Sequence, residues 1–129
     1  MKKILLIIIS LILLGCVTSS DRQFSLQQTL LSYEKTIRWG EFTSLLNFRE
    51  SSTEAELAQL GRYDNTRISG YQVKRQKPDP DNFTLQQDVE ISYFKTHDNR
   101  IRNVLDRQKW KYDEELNRWF VHSPLPRFD

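Results

Sequence analysis

Cysteine occurs once in the 129 residues, at Cys16. No disulfide can form within the chain, so a folded domain must be held by packing and hydrogen bonding alone. Histidine occurs only at His97 and His122, and no cysteine or carboxylate cluster with metal-ligand spacing surrounds either one. No metal is expected. A glycine-rich phosphate loop, a serine elbow and a histidine-rich helix are all missing, which removes the common signatures of cofactor binding and nucleophilic catalysis. Excess charge of one sign is missing too. Nineteen basic side chains face seventeen acidic ones, and Lys2 and Lys3 account for the difference. With no run of basic residues interleaved with aromatics, nucleic acid is not an expected partner.

What is present begins at the N-terminus. Lys2-Lys3 precede an apolar run from Ile4 to Leu14, broken only by Ser10 and closed by Gly15-Cys16. These zones follow the order of an export signal. Eleven residues at about 1.5 Å each cover roughly half of a hydrocarbon core about 30 Å thick, so the run is too short to stay as a span. Leu13-Leu14-Gly15-Cys16 resembles the lipobox of bacterial lipoproteins, where a signal peptidase cuts before a diacylglyceryl-modified cysteine. That resemblance implies a cleaved signal over 1–15, lipid attachment at Cys16, a lipidated tether over 16–23 and a single domain over 24–129. Each buried methylene is worth about 0.8 kcal/mol, so the two or three acyl chains of such proteins make a permanent anchor. In Gram-negative lipoproteins an aspartate after the cysteine signals inner-membrane retention. Val17 stands there instead, which implies the outer membrane, facing the periplasm, if the source is such a bacterium.

Beyond the tether, Leu26, Leu30, Tyr33 and Ile37 recur at helical spacing after a capping Ser25, and Gly40 suits a left-handed terminus. Phe42, Leu45 and Leu46 form a short second face. Thr53 and Glu56 fit a capping box for a third helix, with Leu57 and Leu60 on its buried side and Gly61 at its end. From Thr66 the period changes to two. A strand with a bulge at Gly70, a proline-containing loop over 77–82, a long alternating strand over 83–93, a turn at His97-Asp98-Asn99, a strand over 101–112 and a last strand over 119–122 follow. Helices followed by hairpin-linked strands predict an α+β fold, with helices packed on one face of a curved, four-stranded antiparallel sheet. That order, together with the Trp110-Lys111-Tyr112 and Trp119-Phe120-Val121 segments, resembles the NTF2-like, cystatin-like superfamily. The resemblance implies a long helix lying in the hollow of the sheet, and in some of its enzymes an aspartate or histidine there moves protons.

Three groups of residues qualify as sites. Gln87, Asp106 and Gln108 fall on strand faces otherwise apolar, beside Trp110. Polar groups there must pair or line a wet hollow, because burying an unpaired carboxylate is costly. Either they line a polar ligand pocket with Asp106 as its charged member, or a bulge near Leu105 or an edge position sends Asp106 and Gln108 to solvent. The sequence favours the second. Asp88 and Glu90 form a carboxylate pair on a solvated face, with Arg100, Arg102, Arg107 and Lys109 as the expected cross-strand partners. Trp39, Tyr63, Phe94, Phe120 and Phe128 exceed what one core is expected to hold, and the first four make a candidate partner surface. The favoured function is a non-catalytic envelope lipoprotein that binds a protein or other envelope component. The alternative is a small-ligand binder or enzyme using the hollow of the sheet.

Overall fold

The computed structural model describes residues 19–129, so the export signal, the lipobox and Cys16 lie outside the described residues. Helix α1 (Ser19–Arg38) presents the expected stripe: Tyr33 and Ile37 are fully buried and Leu26 and Leu30 pack partly against the core. The helix reaches further back than the capping Ser25 would allow, and residues 19–23 of the expected tether belong to it. The reason lies in tertiary ties that a local reading cannot contain. The Arg22 guanidinium stacks 4.1 Å from the Phe83 ring, Gln23 donates to Asn82, and the Trp119 indole donates to the Arg22 carbonyl. Gly40, at φ 72°, turns the chain after the helix as expected.

A 3-10 helix (Phe42–Phe48) buries Phe42 and Leu45. Helix α2 (Glu54–Leu60) starts with the full capping box between Thr53 and Glu56, as the sequence predicts. Its packing differs from the expectation: Leu57 is exposed and only Leu60 touches the core. Nor does Gly61 stop the helix in a left-handed turn. It keeps right-handed angles and continues into a 3-10 turn over Gly61–Tyr63, and Asn65, at φ 61°, makes the reversal. The same device recurs before every strand. Asn65, Asn82, Asn99 and Asn117 all have φ between 50° and 61°, a region where asparagine is the least strained of the residues with a Cβ.

Strands β1 (Thr66–Pro78), β2 (Thr84–Lys95), β3 (Arg102–Asp113) and β4 (Arg118–Val121) form one antiparallel sheet in the order 1-2-3-4. The fold is α+β, with the helices on one face of a curved sheet, as expected. The β2–β3 register runs without a break from Thr84 opposite Lys111 to Tyr93 opposite Arg102. Irregularities fall in β1, one at the expected Gly70 and one between Val73 and Arg75. The concave face of the sheet is filled. Tyr33 meets the Trp110 and Phe48 rings edge-on at 5.1 and 5.2 Å, with Ile37, Leu45, Val89 and Ile91 sealed around them.

After β4 the chain crosses back over the core. Tyr63, Phe42, Tyr93 and Phe128 then form a second aromatic cluster with centroids about 5 Å apart. This corrects the expectation that Tyr63, Phe120 and Phe128 overflow the core. Tyr63 is buried, with its hydroxyl donating to the Pro126 carbonyl. Phe120 is buried with the Arg118 guanidinium 4.8 Å from its ring. For Tyr63 and Phe128 the return of residues 123–129 supplies the volume that a linear reading lacks.

Candidate functional site

Alternation along β2 and β3 determines which side chains face inward, and the unbroken register then aligns them across strands. Gln87 lies opposite Gln108, and on the other side of β2 Gln76 lies opposite Gln87. Gln87, Asp106 and Gln108 are all buried, each at 4% exposure or less. This overturns the favoured expectation of a bulge near Leu105: no irregularity interrupts β3 against β2, so Asp106 and Gln108 keep the inward phase of Val104 and Trp110.

The buried polar groups satisfy one another in a row. Gln76 Nε2 donates to Gln87 Oε1 at 2.8 Å, and Gln87 Nε2 donates to Gln108 Oε1 at 2.7 Å. Gln108 Nε2 gives one hydrogen to Asp106 Oδ2 at 2.7 Å and the other to the Tyr71 hydroxyl at 3.1 Å. Its oxygen also accepts from the Trp110 indole at 2.9 Å. Gln108 therefore uses both hydrogens and both lone pairs, the full capacity of a primary amide.

The electrostatics follow from burial. Desolvation raises the Asp106 carboxyl to about 6, and the bond from Gln108 only partly offsets it. The Tyr71 and Tyr33 hydroxyls are likewise pushed up, first by burial and further by the charge on Asp106. Asp106 is thus a buried carboxyl, pushed up to about 6 by desolvation, at one end of a row of amides. Its bonding partner among the described residues is the Gln108 amide.

Two depressions border the row. One, of about 260 Å³, lies between α1 and β1, with Leu30, Leu31 and Val73 as walls and Gln76 and Gln87 at its floor. The other, of about 410 Å³, lies between residues 104–107 of β3 and residues 124–127 of the returning chain. Both are open to solvent, and the row separates them.

The structure thus brings Gln87, Asp106, Gln108 and Trp110 together and adds Gln76 and Tyr71, which the sequence did not single out. The one signal for those two was indirect: a buried Gln87 requires a partner. The four partner-surface residues separate. Trp39 is 80% exposed, Phe94 is half-buried, Tyr63 belongs to the core, and Phe120 is buried on the outer face of the sheet opposite Lys111. On the outer face, Glu90 pairs at 3.5 Å with Lys74 of β1 rather than with β3, while Asp88 lies in register with Arg107. Among the described residues, no three His, Cys, Asp or Glu side chains gather as a metal site, and no helix is long and apolar enough to cross a membrane. Comparison with protein-family models, with curated proteins and with solved structures returned no match.

Proposed function

We propose that this chain is a bacterial envelope lipoprotein, held to a membrane by acyl groups on Cys16, whose domain binds a protein or other envelope component and does not catalyse a reaction. The observation that carries this reading is the export signal ending in the chain's single cysteine, Leu13-Leu14-Gly15-Cys16. The structure adds support of two kinds. The concave face is packed with Tyr33, Ile37, Leu45 and Trp110, and the depressions among the described residues are open to solvent rather than deep chambers. Large apolar side chains stand exposed on the helical side instead: Trp39, and Phe24 and Leu31 seven residues apart on α1. The layout of α1 across the sheet is also compatible with NTF2-like, cystatin-like membership, which we carry as part of the proposal. With Val17 after the cysteine, the outer membrane facing the periplasm is the expected address in a Gram-negative cell.

The test is Cys16→Ser in the full chain, expressed with a palmitate analogue that can be coupled to a fluorophore. The parent is expected in the membrane fraction with label, and the variant unlabelled and unprocessed. Equal labelling of both would remove the anchor. A second reading, a small-ligand site, has one observation in its favour: the α1–β1 groove ends on the amide row that leads to Asp106. Its support would be a ligand whose affinity changes across pH 6 in the parent and not in Asp106→Asn.

A further inference from the structure

Strand β4 covers only one end of β3. Trp110 lies opposite Val121, and the His122 N–H donates to the Lys109 carbonyl at 2.8 Å, which carries the ladder slightly further. Alternate residues of a strand turn their backbone groups to opposite neighbours. The Tyr112 N–H donates to the Phe83 carbonyl at 2.8 Å, so the even-numbered residues of β3 bond toward β2 and the odd-numbered ones face away from it. Asn103, Leu105 and Arg107 therefore direct their N–H and C=O groups to an edge that β4 does not reach, and none of these groups is bonded among the described residues.

The chain cannot close this edge with its own continuation. Past the rung of Lys109 and His122, the same register would set Arg107 against Pro124 and then Leu105 against Pro126. Both places call for an N–H that proline lacks. The Leu125 and Pro126 carbonyls turn to Gln59 and Tyr63 instead, and the depression of about 410 Å³ opens between that segment and β3. The other long edge is guarded. Strand β1 has two irregularities, carries Lys74 and Lys77 and ends in Pro78, and Arg38 Nη2 donates to the Tyr71 carbonyl at 3.1 Å. Bulges, lysines and prolines are the usual defences of an edge strand. Over 103–107 β3 has no bulge, proline or lysine, and Leu105 stands 47% exposed at its centre. Its charges are Arg107, on the outer face, and Asp106, buried and bonded to Gln108. Side chains stand across the sheet, so neither lies in the plane where a strand would add.

We propose that an extended peptide segment of a partner protein adds to β3 at Asn103, Leu105 and Arg107, in line with β4 and with an apolar side chain beside Leu105. The ladder between β3 and β4 already runs along this edge, so the added strand continues an existing interface. Main-chain bonds supply the affinity of such strand addition, and the side chain directly opposite Leu105 shares its face and supplies the preference. A second copy of this chain is a poorer occupant. So short a ladder buries far less than the about 1,200 Å² of a stable association between folded domains, whereas a peptide also gains contacts with Leu125 and the prolines that wall the depression. The proposal gives the partner-binding part of the proposed function a place and a mode, rests on that part alone, and makes no use of Cys16.

The experiment follows amide hydrogen exchange, residue by residue, in the full chain in mild detergent. The probe is a short synthetic peptide of alternating valine and threonine at millimolar concentration. In the free protein the Asn103, Leu105 and Arg107 amides are expected to exchange much faster than those of Val104 and Asp106, which bond toward β2. The peptide should slow the first three several-fold and leave Tyr71 and Val73 on the β1 edge unchanged. The same peptide N-methylated at every backbone nitrogen should have no effect, and Leu105→Lys, at an exposed position, should weaken the effect several-fold. Slow exchange at Val104 and Asp106 reports that each variant is folded. No slowing by the peptide in a folded parent, or equal slowing by its N-methylated form, would overturn the proposal. Slowing of the three amides with protein concentration alone would overturn it in favour of a second copy. Failure here leaves a partner on the helical side, which Trp39 reports separately, and loss of the anchor is read in the Cys16→Ser labelling.

Discussion

The indole N–H of Trp110 donates to Gln108 Oε1 at 2.9 Å, and this one bond fixes the direction of every amide in the buried row. An indole can only donate, so the oxygen of Gln108 must face Trp110 and its nitrogen must face Asp106 and Tyr71. Gln87 must then donate to that oxygen, which turns its own oxygen toward Gln76. Trp110→Phe removes the one donor that cannot reverse. Gln108 Oε1 keeps its bond from Gln87, so the lost hydrogen bond is expected to cost about 0.5–1.5 kcal/mol, with the space left by the smaller ring adding to it. Gln108→Met, which strands Gln87, Trp110, Tyr71 and Asp106 together, should cost more. Urea unfolding of both variants measures the difference, and a Gln108→Met as stable as the parent would mean that the row contributes no stability.

Asp106 makes the fold sensitive to pH in an unusual direction. Its carboxyl titrates at about 6 in the folded protein against 3.8 for the free group. A group raised on folding contributes stability fully below its unfolded value and loses it as pH rises through its folded value. The window is therefore about pH 4 to 6, and the loss, at about 1.4 kcal/mol for each tenfold change in the acidity constant, approaches 3 kcal/mol above it. Asp106→Asn keeps the shape and removes the charge. It is expected to be stabilised by about 2 kcal/mol at pH 8 and nearly unchanged at pH 4. Denaturation midpoints at both pH values check this, and an equal effect at each would assign it to packing.

The inward row also shows where the sequence was legible and where it was not. Period-two alternation placed Val89, Ile91, Trp110 and Tyr112 correctly because burial of apolar side chains is a local rule. For Asp106 the same rule pointed inward, while the cost of a lone buried carboxylate pointed outward. The resolution lay in partners on other strands, Gln87 across β2 and Tyr71 on β1, reached through a register that no single strand encodes. Helix α1 was underestimated at its start for the same reason: Phe83, Asn82 and Trp119 hold its first turns from a distance of more than fifty residues. Tyr63 was misplaced because the return of residues 123–129 over the core leaves no periodic trace, and Phe120 because it is buried on the outer face, opposite Lys111 and under Arg118.

The four left-handed asparagines offer a local test. Asn99 sits at φ 52° and donates its backbone N–H to the Lys95 carbonyl at 2.9 Å, closing the β2–β3 turn. Asn99→Gly is expected to be nearly neutral, since glycine adopts this region freely. Asn99→Ala should cost about 1–2 kcal/mol, because its Cβ meets the strain without a short polar side chain to relieve it. Thermal unfolding of the pair resolves the two, and equal melting points would show that the turn relaxes to another conformation.

Trp39 provides the check on the candidate partner surface, because the chain's three tryptophans divide cleanly. Trp39 is 80% exposed, whereas Trp110 and Trp119 are at 1% and 2%. Acrylamide should therefore quench one fluorophore class readily and leave the other protected, and Trp39→Phe should abolish the accessible class with little change in stability, within about 0.5 kcal/mol. A bound partner covering the helical side would shield Trp39 and leave the buried pair unaltered. The same titration in Trp39→Phe, now lacking the reporter, should then show no change. Protection of Trp39 in the isolated protein at micromolar concentration would instead point to self-association through this side chain, and sedimentation would reveal it.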